Sequence, residues 1–334
     1  MNKLLLLFII LSIGCQNNDK QKKVQLTGEA QGTYYSIVYF DNEARDFQYE
    51  IDSILKDFDQ SVSLWVPNSI LSRINNNEAN VSLDSYFTEN FKISKDVAKK
   101  TDGAFDFTIG TLIKAWGFGF DGTKTIEDTE IEGLLRITGY NKVSIENGIV
   151  IKENPNVSFD FNAVAQGYSV DVVGEFLQGK GINNYLIDIG GEVKAQGSKP
   201  NDDKWKVGIE KPAKEQSDSR DLKAIVELTD VSIATSGNYR KFYEEDGIRY
   251  SHTINPKTGY PARNRLLSVS VLHQSTAYAD AYATAFMVMG YMDAKSFVED
   301  NNEIEAFFII SSENGSYETY ATKGFTESIT QEFE

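Results

Sequence analysis

The sequence predicts an α+β fold in which antiparallel or mixed β-sheets pack against helices. Two hairpin signals support this: an Asn-Gly pair lies within Lys142–Lys152, and an Asp-Gly pair lies within Arg240–Ile254. Helical apolar spacing also occurs, but without the regular strand–helix alternation of a doubly wound sheet. The 334 residues are 41% hydrophobic and 12% aromatic, which is enough for a packed core.

The N-terminus predicts export and lipid attachment. The apolar run Leu4–Ile13 is too short to span a bilayer as a stable helix. Cys15, the only cysteine, stands where a bacterial lipoprotein carries its lipid, although Ser12 replaces the usual aliphatic residue; the alternative is an ordinary cleaved signal. The predicted division is a signal peptide at 1–14, a lipid anchor and flexible tether at 15–24, and one domain at 25–334.

The charge balance limits the partners. The net charge is −16, from 33 basic and 49 acidic side chains, so a nucleic-acid phosphate backbone would be repelled. An anionic substrate would need local help from a bound cation, or from helix N-termini and loop amides. We therefore expect no nucleic-acid binding.

The first half of the body predicts a strand followed by helices. Glu29–Phe40 is rich in β-branched and aromatic residues and predicts one strand. Ile51–Val62 keeps helical apolar spacing, and Ser69 is placed to cap a short helix. A further amphipathic helix is expected to end at Thr101–Gly103.

Val157–Phe161 predicts another strand, and Asn162 is placed to cap the helix after it. Such a helix start offers free N–H groups, and Gly167 allows a ligand or a backbone to come close. A phosphate site fits this junction. The alternative is a plain strand–helix unit with a packing glycine, because the G-x-G-x-x-G and Walker patterns are absent.

Asp280 and Thr284 lie one helical turn apart in an alanine-rich segment, so their oxygens share a face. A carboxylate buried there needs a partner, and Mg²⁺ with oxygen ligands would supply one. The alternative is a solvent-facing Asp beside a Thr that bonds back to its own helix.

His252 lies in a stiff turn, just before Asn255–Gly259. It could hydrogen-bond a phosphate or protonate a leaving group; alternatively, it is a loop histidine whose ring bonds to backbone. Ile187–Gly191 and Ala234–Gly237 add further places where backbone could approach a bound group.

At these residues the chain resembles the ApbE family, periplasmic lipoproteins that act as FAD:protein FMN transferases and have a T-fold-like architecture. The resemblance runs from Gly32–Phe40 to Ala279–Thr284. Between them, seven motifs follow the family's order: Ser63–Asn75, Asp102–Phe118, Phe159–Asp171, Leu186–Gly197, Trp205–Pro212, Ile233–Phe242 and Ser251–Pro261.

The resemblance implies a reaction and a set of site residues. Such enzymes cleave FAD, pass the FMN phosphoryl to a Ser or Thr hydroxyl of a target flavoprotein, and release AMP. The implied partners are periplasm-facing flavoproteins of respiratory membrane complexes. The resemblance implies that Asp280, Thr284 and the Ala163 carbonyl bind Mg²⁺ and that His252 contacts the pyrophosphate. It also implies that Asp160 and Asn162–Gly167 line the flavin side, and that Trp65 and Asp106 lie at the nucleotide pocket. Asp280 and His252 are the candidates for deprotonating the acceptor hydroxyl.

Gln166 departs from the family pattern, which often has Lys there. The amide can donate hydrogen bonds but brings no charge, so more of the neutralisation would fall to Mg²⁺. Two alternatives therefore stand beside the transferase: a Mg²⁺-dependent FAD pyrophosphatase giving FMN and AMP, and a flavin-binding lipoprotein without turnover. The chain has no segment of the D-G-x-T-G-A-T kind that the family's acceptors carry, so we expect it to modify another protein.

Overall fold

The computed structural model describes residues 21–117, 126–212, 221–238, 242–245, 248–251, 253–312 and 316–333. The strands are β1 Lys22–Ala30, β2 Thr33–Asp41, β3 Val143–Glu146, β4 Ile149–Lys152, β5 Tyr185–Ile189, β6 Glu192–Gln196, β7 Trp205–Glu210, β8 Leu222–Leu228, β9 Val231–Gly237, β10 Phe242–Glu245, β11 Ile248–Ser251, β12 Leu266–His273, β13 Glu305–Ser311, β14 Tyr317–Ala321 and β15 Ile329–Glu332. The helices are α1 Gln48–Val62, α2 Ile70–Asn75, α3 Ser85–Lys100, α4 Gly110–Ala115, α5 Asp128–Ile137, α6 Ala165–Gly179, α7 Thr276–Met289, α8 Tyr291–Glu299 and α9 Lys323–Ser328, with 3₁₀ turns at Tyr140–Lys142 and Pro200–Asp202.

A large sheet organises the molecule, with the strand order β1-β2-β5-β6-β9-β12-β13-β14. Its neighbouring strands are antiparallel. A smaller antiparallel sheet has the order β15-β8-β7, and β3-β4 and β10-β11 are separate hairpins. The predicted α+β class with antiparallel sheets and packed helices is confirmed.

The large sheet separates two apolar layers. Along β13, Phe308 and Ile310 pack into the cluster formed with α3 and α7, while Phe307 and Ile309 pack towards the smaller sheet. This alternation follows from the two-residue period of a strand. The order is therefore a helical layer, the large sheet, and the smaller sheet with α9.

Several local predictions are confirmed. The Asn-Gly turn between β3 and β4 has positive φ at both Asn147 (51°) and Gly148 (75°), and the predicted strands of the second hairpin are β10 and β11. Ser69 caps α2 by accepting a hydrogen bond from Ser72 N at 3.0 Å. Helix α3 ends at Thr101, which occupies its C-cap.

The single strand predicted at Glu29–Phe40 is wrong. The chain forms β1 and β2 on either side of a turn, where Gln31 has φ 55° and Gly32 has φ 72°. A glutamine rarely adopts this left-handed conformation, so the turn lacks the usual Asn-Gly signal.

The strand–helix junction also differs from the prediction. In Val157–Phe161 the structure has an isolated parallel bridge, from Ser158 to Ile109, and no strand. Asn162 does not cap α6, because the chain turns once more before the helix begins at Ala165, and the Asn162 side chain donates to Asp160 Oδ2 at 3.3 Å. The cap position is Val164, which makes no side-chain cap bond.

Within the described ranges, none of the helices combines the length and apolarity that a membrane crossing requires.

Candidate active site

A cavity of about 2040 Å³ contains most of the predicted site. Its lining includes eight predicted residues: Trp65, Asp106, Asp160, Asn162, Ala163, Gln166, Asp280 and Thr284. These come from segments far apart in the sequence, so the fold brings them together. The predicted residues His252 and Cys15 lie outside the described residues.

Asp280 is buried on α7, and its Oδ2 accepts a hydrogen bond from Gly167 N of α6 at 3.1 Å. Burial raises the pKa of the Asp280 carboxyl to about 7, and the Gly167 bond opposes this only in part. Among the described residues, no Lys or Arg forms a salt bridge with Asp280. The carboxylate is therefore a buried charge that a cation could balance.

The Asp280 contact also changes the start of α6. In a regular helix Gly167 N would donate to Ala163 O, but here it donates to Asp280 instead. The Ala163 carbonyl accepts no backbone hydrogen bond from the described residues, and Gln166 N–H donates to none of them. The first turn of α6 thus leaves one oxygen and one amide free at the cavity.

Thr284 completes this group of oxygens. It lies one turn after Asp280, and its Oγ1 is 3.2 Å from Ser236 Oγ of β9. No three His, Cys, Asp or Glu side chains in the described ranges gather as a metal cluster. A cation at this place would instead use a carboxylate, a hydroxyl and a carbonyl, which are the oxygen donors that Mg²⁺ and Ca²⁺ take.

Close packing of α6 on α7 fixes these donors. A Cβ at Gly167 would lie 2.5 Å from Thr276 O and 2.9 Å from Asp280 Cβ, so only glycine fits there. In the other direction, Asp171 of α6 accepts from Thr276 N and Ala277 N, both at 3.0 Å, and so caps the start of α7. Each helix therefore satisfies amides of the other.

Asp171 was not predicted, although it is central to this packing. Lys194 Nζ of β6 pairs with it at 2.8 Å, and both side chains are largely buried. The available signal was a carboxylate between Val170 and Val172, a position on the helix that needs a partner when it is buried.

Gln166 is held against the β5–β6 turn. Its Nε2 donates to Ile189 O at 3.0 Å. Gly190 has φ 63°, and a Cβ there would lie only 1.8 Å from Gln166 Nε2. The glutamine side chain occupies the space that glycine leaves.

Asp106 and Asp160 both accept hydrogen bonds from backbone amides. Asp106 accepts from Thr108 N at 2.8 Å and from Tyr140 N at 2.8 Å, yet burial raises its pKa. Burial likewise raises the pKa of Asp160, which accepts from Asn162 N. Asp106 therefore braces the loop at Tyr140 as well as lining the cavity.

The rim carries an aromatic ring and an acid. Trp65 is 59% exposed and lines the cavity, where an indole ring suits contact with a planar ligand. Asp59, near the end of α1, also lines the cavity, and burial raises its pKa. Asp59 was not predicted, because an acidic residue beside Phe58 near the end of an amphipathic helix is a common surface pattern.

Comparisons with known proteins identify a family and related structures for this chain. The model of the ApbE family matches residues 31–308. The FAD:protein FMN transferase of Vibrio cholerae is 35% identical over 326 residues, which cover 95% of each chain, and that of Haemophilus influenzae is 32% identical over 90% of each. The solved flavin transferase ApbE from Vibrio cholerae has a TM-score of 0.82 at 34% identity, covering 92% of this chain and 99% of that one. The apo form of Pseudomonas stutzeri flavinyl transferase ApbE has 0.83 at 32%, covering 94% and 98%.

Proposed function

The chain belongs to the ApbE family, and on that premise we propose that it is an FAD:protein FMN transferase, the activity named for its relatives. In the proposed reaction, a Ser or Thr oxygen of a target flavoprotein forms a bond to the FMN phosphorus of FAD. The pyrophosphate P–O bond breaks, its electron pair leaves with AMP, and the hydroxyl proton passes to a base.

The oxygen group at the α6–α7 contact is the observation that carries this proposal. Asp280, Thr284 and the Ala163 carbonyl would hold Mg²⁺. Two observations support the fit: the buried Asp280 carboxylate forms no salt bridge with a Lys or Arg of the described residues, and the Ala163 carbonyl does not receive the N–H of Gly167. When bound, Mg²⁺ supplies neutralisation of the pyrophosphate and of charge that develops in the transition state.

The chain's own groups would bind and orient FAD. The free N–H of Gln166 lies in the first turn of α6, where the helix dipole favours a phosphate oxygen. The Gln166 side chain adds no charge, so binding of the anion depends more on that amide and on the cation. Asp160 and Asn162 would line the flavin side, and Trp65 and Asp106 the nucleotide pocket.

Deprotonation of the acceptor hydroxyl is assigned to His252 or Asp280. Asp280 is one candidate, because its buried carboxylate lines the cavity where the hydroxyl would react. His252 would contact the pyrophosphate and is the other candidate, from the Ser251–Pro261 motif.

We also propose that Cys15 carries a lipid that holds the protein at the cell envelope, facing the periplasm. The apolar run ahead of this single cysteine supports the proposal. The proposed acceptors are periplasm-facing flavoproteins of respiratory membrane complexes. Cys15→Ala should move the protein from the membrane fraction to the soluble fraction; retention in the membrane would refute lipid anchoring at this residue.

The transferase is tested with residues 16–334, FAD, Mg²⁺ and a flavoprotein domain that carries a D-G-x-T-G-A-T segment. Intact-mass spectrometry and in-gel fluorescence would detect FMN on the acceptor, while AMP is quantified in parallel. We expect a stable adduct, equimolar AMP, and loss of both when the metal is chelated. AMP without an adduct would identify a pyrophosphatase, and intact FAD after long incubation would identify a binding protein.

A further inference from the structure

The cavity runs along one edge of the smaller sheet. Four consecutive residues of β7 line it: Val207, Gly208, Ile209 and Glu210. Successive side chains of a strand point to opposite faces, so one face cannot supply four consecutive lining residues. All four residues are exposed to the cavity only if the edge of β7 borders it.

This edge has no partner strand in the described part of the chain. β7 is the last strand of the order β15-β8-β7 and pairs with β8 alone. Lys211 N, directly after β7, donates to Asp221 O on the β8 side at 2.8 Å. Because successive amides of an extended strand point to opposite edges, Val207 and Ile209 also direct their N–H groups to β8, and Gly208 directs its N–H to the open edge.

The size of the cavity leaves room for a second substrate. Its volume of about 2040 Å³ exceeds the roughly 300–1,000 Å³ typical of small-molecule sites. A protein hydroxyl that reacts near buried Asp280 must be delivered on a chain segment narrow enough to enter. An extended strand meets that need, and an open sheet edge binds one through main-chain hydrogen bonds.

We propose that the open edge of β7 docks an extended segment of the acceptor polypeptide, which adds to the smaller sheet as a strand and carries the Ser or Thr hydroxyl into the cavity. This inference rests on the proposed transferase function. Gly208 is exposed and has no side chain, so backbone can approach it closely. Main-chain recognition also lets one edge accept different acceptor sequences.

Charge beside this edge favours the acceptor over a second copy of the chain. Lys206 is exposed on β7, where its Nζ lies 3.5 Å from Glu227 Oε1 of β8. A charged lysine on an edge strand disfavours edge-to-edge pairing of two copies, because its ammonium group has to stay solvated.

Two substitutions of Gly208 test the docking. Gly208→Ala and Gly208→Pro both add a Cβ, which would meet the flexible Leu222 Cδ2 at 2.7 Å, but only proline removes the N–H. With the D-G-x-T-G-A-T domain as acceptor, we expect kcat/KM for the acceptor to be about five- to tenfold lower in the proline variant than in the alanine variant. The dissociation constants of the two variants for FAD, from flavin fluorescence, should agree within about twofold.

A second measurement does not depend on the variants. Saturating acceptor should slow deuterium uptake in peptides that cover residues 205–210 of the wild-type protein. Equal kcat/KM for the two variants, or unchanged uptake, would overturn the docking while leaving the transferase intact. A parallel loss of FAD binding in the proline variant would assign this edge to FAD and also overturn it. Failure of the wild-type protein to flavinylate the domain would instead refute the proposed function.

Discussion

Replacing Gly167 with alanine tests how closely the two helices of the site must approach. The added Cβ would lie 2.5 Å from Thr276 O and 2.8 Å from Thr276 C, and both are backbone atoms that cannot rotate away. Relief of this contact requires a movement of roughly 0.5 Å or more between α6 and α7, because non-bonded carbon and oxygen atoms rarely approach within about 3 Å. The shift also displaces Asp280 relative to the Ala163 carbonyl.

The magnitude follows from two opposing effects. Overpacking costs about 1–3 kcal/mol, and alanine returns up to about 1 kcal/mol through its better helix propensity. We expect Gly167→Ala to lower the free energy of unfolding by about 1–2 kcal/mol. Gly179, at the other end of α6, has no atom within 4 Å of an added Cβ, so Gly179→Ala should be neutral or stabilising by up to about 1 kcal/mol.

Urea unfolding of both variants without metal measures this difference, and titration of flavinylation with Mg²⁺ measures the effect on the site. Gly167→Ala should need at least several-fold more Mg²⁺ for half-maximal rate, whereas Gly179→Ala should match the wild-type protein. If Gly167→Ala were as stable as Gly179→Ala and kept the wild-type Mg²⁺ dependence, the tight helix contact would not be what positions the oxygens.

Three further substitutions address separate parts of the site. Because burial raises the folded-state pKa of Asp280 to about 7, above the value of about 3.9 expected when unfolded, the metal-free wild-type protein should lose stability as pH rises from about 4 to 7. Asp280→Asn should remove the part of that loss that comes from Asp280, with Asp106 and Asp160 still contributing theirs, and should abolish Mg²⁺-dependent turnover. Urea midpoints at several pH values check the first effect, and an unchanged pH profile would contradict it. Asp171→Asn breaks the buried pair with Lys194 and should cost about 3 kcal/mol in urea unfolding; a cost below about 1 kcal/mol would show that the pair adds little. Trp65→Ala should weaken FAD binding about tenfold by fluorescence titration and leave the thermal midpoint nearly unchanged, since the ring is 59% exposed; undiminished affinity would remove Trp65 from the site.

Features with a local physical cause could be predicted from the sequence. The Asn147-Gly148 turn requires positive φ at two adjacent residues, and those residue types announce it. Ser69 caps a helix through an atom three residues away. The turn at Gln31 was missed because its positive φ is imposed by the pairing of β1 with β2 and not by residue type.

Features that depend on distant partners could not be predicted from the residues alone. Asn162 has the residue type of a cap, but the hydrogen bond from Val164 N to Phe161 O adds one more turn before α6 begins at Ala165. The Ala163 carbonyl entered the prediction only through family resemblance. Its availability depends on a hydrogen bond between Gly167 and Asp280, which are 113 residues apart.

That diverted hydrogen bond links cation affinity to helix packing. If Gly167 N donated to Ala163 O, α6 would gain an ordinary helical hydrogen bond. Asp280 Oδ2 would then lose the hydrogen bond from Gly167, and the Ala163 oxygen would already accept one. The exchange costs little, because an amide bonds to a carboxylate at least as strongly as to a carbonyl. The oxygens are therefore arranged when α6 and α7 pack, before any cation arrives. Substitutions that move α6 slightly away from α7 should accordingly weaken cation binding while the protein stays folded.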